Sequence, residues 1–375
     1  ATLWFCHVGL RRLARQVSTQ TLSLRALCLR GLARQTRRSL ATLALLATGT
    51  FMVFAVSAHR LDATLDAASR QSGTGGFTYV AQLTTPVLRD LNDSAVQEAI
   101  GITTAADTTY TQVRVAEGDE ASCLNLNRPQ QPRLWGIDPI QLQGRFTFMS
   151  IHSDIKKDHD NIKQTPWSML MLDLGPNRVP VVGDHNSIQY SLGKKLGDTI
   201  PMVDANGESY ELVIVGGLKN SMLQGGLVMS EEQFLRRNPN AAGYRMLLID
   251  APGDTPNTFT ASINSGFRDN GIELQSSVTR LNEFNALQNT YLAIFQALGA
   301  LALLLGSVGL GIVVLRNVLE RRPELAMLRA LGYSRAQLWK MIFGEHALLL
   351  SSGILVGVVA ALLALLPTLT TQASA

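Results

Sequence analysis

The sequence predicts a membrane α-helical bundle that carries a large mixed α/β extracytoplasmic domain, and three observations predict this fold class. The chain of 375 residues contains three long stretches without a charged residue, at 39–58, 284–315 and 347–375. The segment 59–283 between the first two contains alternating apolar patterns and turn residues typical of a folded α/β domain. Arginine-rich segments lie beside the apolar stretches, whereas the middle of the chain is acidic.

The apolar stretches are long enough to cross a bilayer, since its hydrocarbon core of about 30 Å requires roughly 20 helical residues. A charge at the centre of such a helix costs about 3 kcal/mol, so uncharged windows of this length favour membrane insertion. We predict transmembrane helices over 39–58, 284–315 and 346–367. A cleavable signal peptide over 34–58 is the alternative for the first, but more than thirty residues precede it and two further spans follow.

Charge gives the predicted orientation. Residues 1–57 contain eight arginines and no acid, residues 58–285 contain 19 Lys/Arg and 26 Asp/Glu, and residues 286–375 contain six basic and three acidic residues. Basic segments stay in the cytoplasm by the positive-inside rule. We therefore expect the domain 59–283 and the tail 368–375 outside and the segment 316–345 inside; this pattern also argues against nucleic-acid binding.

Residues 1–38 are predicted to form a cytoplasmic basic amphipathic linker. Leu10, Leu13 and Val17 recur at roughly helical spacing with arginines between them. Such a helix either lies on the anionic inner leaflet or is a solvated linker, and the residues leave both interpretations open.

Within 59–283 we predict one or two soluble units. Predicted strands are Phe77–Leu83, Ser168–Leu172, Thr199–Val203, Tyr210–Val215 and Met246–Ile249, and predicted helices are Pro86–Ala99, Glu231–Arg237 and Pro256–Asp269. The segment 204–207 (DANG) separates two strand-like runs and is predicted to be a hairpin turn, because Asn-Gly tolerates positive φ.

The cytoplasmic segment 316–345 contains the pattern of a short amphipathic helix. If the helix begins at Glu324, then Leu325, Leu328 and Leu331–Gly332 share one side. Such a helix either docks in a groove of a partner protein or lies on lipid headgroups. Pro323 is expected to break the preceding helix at Arg322, as a hinge or as the first turn of a new helix.

Four glycines reduce the bulk of the second predicted span, and we expect them to permit close helix packing rather than ligand binding. They are Gly299, Gly306, Gly309 and Gly311.

No motif for chemistry stands out. Only one cysteine, Cys123, falls in 59–283, so that domain holds no internal disulfide. A P-loop and a nucleophile elbow are both missing from the sequence. The His/Asp cluster over 152–160 has the residue types of a metal site, but its spacing matches no defined site and a solvated loop is favoured. We expect no catalytic, cofactor-binding or metal residues in this chain.

Four segments resemble the FtsX/MacB-like permeases of ABC transporters. They read LRGLARQTRRSLATLALLATGTFMVFAV, SCLNLNRPQQPRLWGI, SLGKKLGDTIPMVDANGESYELVIVGGLKNSMLQGGLVMSEEQFLRR and QNTYLAIFQALGALALLLGSVGLGIVVLRNVLERRPELAMLRALGYSRAQLWKMIFGEHALLL. The most specific element is the second span running into ERRPELAMLRALGYSR.

The resemblance implies a four-span repeat with an extracytoplasmic domain between spans one and two, so we expect this chain to be the C-terminal part of a larger permease. It implies a bacterial inner-membrane protein without a catalytic site, working with a cytoplasmic ABC ATPase dimer that binds ATP and Mg²⁺, with a second permease repeat or copy, and with membrane lipids. The expected ATPase-coupling residues are Glu320, Arg321, Arg322, Glu324, Leu325, Leu328, Arg329, Leu331 and Gly332.

Two other hypotheses remain. A membrane-anchored sensor or scaffold would bind a ligand through its outer domain without ATP. A membrane-bound hydrolase would show activity in the 59–283 domain.

Overall fold

The computed structural model describes residues 36–58, 62–64, 66–105, 107–121, 129–153, 155, 164–253 and 255–373. The chain divides into two compact units: an α/β unit over 61–287, and a helical unit over 1–60 and 288–375. The predicted basic linker lies outside the described residues except for 36–38, which begin the first helix.

The α/β unit is built on a ten-stranded mixed sheet in the described residues. Its strands are β1 (Tyr79–Val87), β2 (Thr109–Ala116), β3 (Arg133–Ile137), β4 (Phe148–Ile151), β5 (Arg178–Asp184), β6 (Thr199–Val203), β7 (Ser209–Leu218), β8 (Gly226–Ser230), β9 (Tyr244–Asp250) and β10 (Ile272–Ser276). The strand order is β10-β1-β9-β2-β3-β8-β5-β7-β4, and β6 pairs with β7.

Strand β2 belongs to both halves of this sheet. Its residues 109–113 pair with β9 in an antiparallel half-sheet, and its residues 114–116 pair with β3 in a mixed half-sheet. The mixed half contains the parallel pairs β3–β8 and β5–β7. A core containing Val80, Val113, Trp135 and Val215 takes residues from both halves.

Short helices cover the sheet. They are α2 (Ser94–Ile100), α3 (Glu231–Arg237), α4 (Pro256–Gly266) and the 3₁₀ segments Pro166–Met171 and Arg268–Asn270, together with a π-helical turn over Ser187–Ser191. Phe259 and Ile263 of α4 pack into the core of the antiparallel half, and Phe234 of α3 packs into the core of the mixed half. Helices α3 and α4 thus bury apolar side chains against the sheet, as layered domains require.

Several predicted elements are confirmed. Strands β6 and β7 form an antiparallel hairpin, and Gly207 in its turn has φ +84°. The helix Glu231–Arg237 has its predicted bounds, with Ser230 as N-cap accepting from the Gln233 amide.

Two predictions were wrong. Ser168–Leu172 is not a strand: Pro166–Met171 form a 3₁₀ helix whose Trp167, Met169 and Leu170 are buried. A short apolar run of this kind has no periodicity that separates strand from helix.

The predicted helix Pro86–Ala99 begins only at Ser94. Pro86 lies in strand β1, where the pairing with β9 shifts register between Gln82 and Val87. Proline is tolerated at such an irregularity because no ladder hydrogen bond is required of it there. Asp93 caps the helix by accepting from the Ala95 amide, and Gly101 ends it with a left-handed backbone.

The helical unit contains the apolar helices α1 (Thr36–Ala58) and α7 (Arg335–Ala373) and the short helix α6 (Arg322–Ala330). It also contains most of helix α5 (Ser277–Glu320), whose first residues belong to the α/β unit. By length and composition, two helices in the described chain are able to cross a membrane, Ser277–Glu320 and Arg335–Leu366, and Leu43–Ala58 is a shorter apolar helix. Helix α7 begins at Arg335, eleven residues before the third predicted span at 346–367.

The exposed surface of α5 is apolar over many turns. Its exposed side chains include Tyr291, Ile294, Phe295, Leu298, Leu301, Leu304, Leu305, Val308, Ile312, Leu315 and Leu319. Apolar patches of this length are rare on soluble monomers and indicate contact with lipid or with another protein.

Candidate functional site

The predicted coupling residues lie at a bend between the two long apolar helices. Helix α5 ends at Glu320, and Arg321 separates it from α6. Pro323 lies in the first turn of α6, where its missing amide leaves no hydrogen bond unmade. Of the two interpretations of Pro323, the start of a new helix is therefore the one observed.

The C-terminal end of α6 is fixed by a Schellman motif. The Gly332 amide donates to the Arg329 carbonyl at 3.1 Å, and the Tyr333 amide donates to the Leu328 carbonyl at 3.2 Å. Gly332 has φ +96°, the left-handed conformation that this motif requires and that glycine adopts without a steric penalty. The sequence Leu-Gly-Tyr thus ends the helix at a defined residue.

Helix α7 then begins with a capping box. The Gln337 amide donates to Ser334 Oγ at 3.3 Å, and the Ser334 amide donates to Gln337 Oε1 at 2.9 Å. We call residues 320–337 the elbow. Local hydrogen bonds at the end of α6 and at the start of α7 thus define its bend.

The elbow exposes apolar side chains. Met327 and Leu331 are 66% and 69% exposed, whereas Leu325 and Leu328 are half-buried. Arg322 and Arg329 are exposed beside them, and Arg316 forms an ion pair with Glu320 at 2.7 Å. The side chain of Glu324 lies outside the described residues. An exposed apolar pair with flanking charges is the composition of a helix that docks in a groove of another protein.

Two of the four predicted packing glycines face another helix. A Cβ on Gly299 would lie 2.9 Å from Met52 Cβ, and one on Gly306 would lie 3.2 Å from Leu46 Cδ2, so both glycines face α1. Gly309 and Gly311 have no atom within 4 Å of such a Cβ.

Close contacts that we did not predict involve glycines of α1 and α7. A Cβ on Gly357 would lie 2.7 Å from the Ala47 carbonyl oxygen, one on Gly353 3.0 Å from Leu46 Cβ, and one on Gly49 2.8 Å from Leu303 Cγ. The Gly353-x-x-x-Gly357 spacing is the sequence signal that would have found them.

Helices α5 and α7 border an apolar cavity of about 590 Å³. Its lining includes Val314, Trp339, Phe343 and His346. The buried His346 donates from Nδ1 to the Ile342 carbonyl at 2.8 Å, which satisfies one ring nitrogen within its own helix. The Trp339 and Phe343 rings stack with centroids 5.4 Å apart, and both are exposed near the start of α7.

A polar trough lies where the antiparallel and mixed halves of the sheet meet. Two cavities of about 210 and 240 Å³ share Gln82, Arg133 and Glu273. Glu117 contacts the guanidinium groups of Arg133 at 3.3 Å and of Arg245 at 3.4 Å. The trough contains glutamate and arginine side chains in similar number, so it has no strong preference for an ion of one sign.

Only part of the His/Asp cluster over 152–160 lies within the described residues. His152 packs over Gly197, and Asp154 and the residues from 156 to 160 lie outside the described residues. Among the residues that the structure describes, no group of three His, Cys, Asp or Glu side chains is arranged to hold a metal ion.

The long apolar helices, the capped elbow between them and the attached α/β unit define the class: a helical protein whose exposed surfaces suit a membrane, carrying a large sheet domain. Residues 297–374, which include the elbow, match the model of the FtsX-like permease C-terminal domain. Over these residues the chain is similar to that family, in agreement with the resemblance seen in the sequence.

Among the solved structures that match the chain is one of low sequence identity. It is the crystal structure of the periplasmic region of MacB from Actinobacillus actinomycetemcomitans, with 12% sequence identity and a TM-score of 0.30; the match covers 55% of this chain and 92% of that chain. A comparison with curated proteins finds no match.

Proposed function

We propose that this chain is a permease subunit of an ABC transporter. In this proposal a separate cytoplasmic ATPase dimer, which binds ATP and Mg²⁺, docks at the elbow. Its closure moves α5 and thereby changes the α/β unit, which faces the outside. The chain itself carries no catalytic site, and it works with a second permease repeat or copy in the bacterial inner membrane.

The observation that supports this proposal best is the elbow itself. It lies within the segment matched by the FtsX-like permease model and presents Met327 and Leu331 to solvent between two apolar helices. Leaving the apolar side chains of Met327 and Leu331 exposed costs about 1.5 to 3 kcal/mol each relative to burial. A partner protein that covers them would remove this cost.

The surroundings of the elbow favour a cytoplasmic position. Arg316, Arg321, Arg322, Arg329, Arg335 and Lys340 cluster in this segment, as the positive-inside rule expects. Trp339 and Tyr333 are aromatic residues of the kind enriched at membrane–water interfaces.

Co-purification tests the proposal. The full chain is co-expressed with the ABC ATPase of the same organism, extracted in mild detergent and captured through a tag. We expect Met327→Glu and Leu331→Glu each to lower the recovered ATPase about tenfold or more, because a charge replaces a buried apolar contact.

Tyr190→Glu is the matched control, since Tyr190 is an equally exposed residue, 69%, of the α/β unit. Recovery of the ATPase at wild-type levels with both elbow variants would contradict docking at the elbow and would favour a helix that lies on lipid headgroups. Absence of any ATPase with the wild-type chain would favour the sensor or scaffold.

A further inference from the structure

The first turns of α5 are held in a pocket of the α/β unit. Leu281 is 2% exposed and packs in the main core with Met222 and Leu223. The Ser277 amide, at the start of the helix, donates to the Thr78 carbonyl at 3.1 Å. We call the contacts among Gly73, residues 220–223, Arg280 and Leu281 the root socket, because they surround the point where the long helix begins.

Gly73 sets how closely the socket is packed. A Cβ at this position would lie 2.1 Å from the Asn220 carbonyl oxygen and 2.8 Å from Leu281 Cδ2. The Gly73 carbonyl also accepts from the Met222 amide at 2.8 Å. Gly73 therefore leaves the room that residues 220–223 and Leu281 need for their close approach.

Arg280 joins the helix to the same loop. Its Nε donates to the Met222 carbonyl at 3.4 Å, and its guanidinium lies 5.7 Å from the Phe284 ring centroid. Burial lowers the pKa of Arg280 from its ordinary value, and the neighbouring charge of Arg133 lowers it further, while three glutamates oppose this change. A desolvated guanidinium remains charged, so the hydrogen bond to Met222 carries part of its compensation.

The loop is in turn held by the sheet. Asp184, fully buried at the end of β5, accepts from the Ser221 amide at 2.6 Å and from the Asn186 amide at 3.0 Å. Asn220, the preceding residue, has φ +43°, an uncommon backbone conformation for a residue with a side chain. Contacts thus run without interruption from β5 through residues 220–223 to α5.

We propose that the root socket is the joint through which the α/β unit and α5 move together, with Arg280, Gly73 and Asp184 as its positioning residues. This role rests on the proposed function, because the movement that it passes on is the one started by the ATPase. The joint forms within the α/β unit, so its integrity is measured without the ATPase.

Hydrogen exchange of the full chain in lipid nanodiscs gives the first test. Arg280→Ala and Asp184→Ala remove opposite ends of the contact path, and we expect each to speed amide exchange about tenfold in both 219–224 and 277–287. Arg280→Lys keeps one donor for Met222 and is expected to restore part of the protection. Arg178→Ala, which breaks an exposed ion pair with Glu211 in the same unit, is the control and should leave both segments unchanged.

Adding the ATPase gives the second test. In the wild type, ATP is expected to change exchange in 219–224, and Arg280→Ala is expected to abolish this change while the ATPase still co-purifies. If exchange in 219–224 is the same in wild type and Arg280→Ala, the socket does not join the two elements and the inference is overturned. If the ATPase binds the wild type but ATP leaves the exchange in 219–224 unchanged, the proposed role of the root socket is wrong and the proposed function stands. If no ATPase binds, the proposed function fails and the coupling role falls with it.

Discussion

Arg145 and Asp250 form a nearly buried ion pair, with Arg145 Nη2 2.6 Å from Asp250 Oδ2. The same guanidinium donates to the Gly75 carbonyl at 2.8 Å and lies over the Phe77 ring at 4.1 Å. Phe146, the residue after Arg145, donates its amide to the Arg70 carbonyl at 2.6 Å. The pair therefore fastens the segment that leads into β1 against the end of β9.

Asp250→Ala should destabilise the α/β unit strongly. It leaves the Arg145 guanidinium buried without its counter-charge, and breaking such a pair costs roughly 3 kcal/mol or more. Urea unfolding of the full chain in detergent, followed by tryptophan fluorescence, measures the change. Arg236→Ala is the control, because its ion pair with Glu232 is exposed and is worth about 0.5 kcal/mol. Equal effects of the two variants would show that Arg145 finds compensation elsewhere.

Gly357→Val should disrupt the packing of α1 against α7. The new Cβ would meet the Ala47 carbonyl oxygen at 2.7 Å and Thr50 Cβ at 2.7 Å, and the backbones of both helices would have to separate. We expect a lower melting temperature of the detergent-solubilised chain. Gly309→Val places the same side chain where no atom lies within 4 Å and should leave the melting temperature almost unchanged. Equal melting temperatures of the two variants would contradict this prediction.

Membrane orientation can be tested with two introduced cysteines in a background without the three native ones. Tyr190→Cys in the α/β unit and Met327→Cys in the elbow replace similarly exposed residues. An impermeant thiol reagent should label the first in intact cells and the second only after the membrane is opened. The reverse pattern would overturn the proposed orientation.

The pH dependence of stability should change in Asp184→Asn. Burial raises the pKa of Asp184, and hydrogen bonds from the Ser221 and Asn186 amides oppose this shift only in part. Because the folded state holds the proton more tightly than the unfolded state, this group contributes stability that is present below its unfolded pKa. That stability is lost as pH rises through the raised, folded pKa.

The wild type should therefore lose stability relative to Asp184→Asn as pH rises through this range. Unfolding free energies of both proteins, measured from acid to neutral pH, give the difference. A constant difference would show that folding leaves the pKa of Asp184 unchanged, and a difference that grows in the opposite direction would show that folding lowers this pKa.

Sequence patterns predicted those elements whose signals are local. The hairpin at 204–207 follows from Asn-Gly chemistry, and the helix Glu231–Arg237 from its serine cap and terminal charges. Strand β5 was missed because it is buried almost throughout and does not alternate, so its pairing with β7 and β8 in the fold identifies it. The same limit explains the error at Ser168–Leu172, where tertiary burial and not periodicity decides the conformation.

The candidate site also combines features with a local sequence signal and features that depend on the fold. The helix break at Arg322 was predicted from Pro323, but the helix end before Gly332 and the exposure of Met327 were not. The exposure depends on which neighbours fold against the helix. The root socket was not predicted at all. Gly73, Asp184 and Arg280 are far apart in sequence and carry no common motif, so only the folded arrangement brings them together.

Strand β2 changes partners between Val113 and Arg114, from β9 to β3. One peptide unit therefore separates the two pairings of this strand. A shift of β2 along its own axis would change its register with β9 and with β3 together, so the two halves of the sheet share one register.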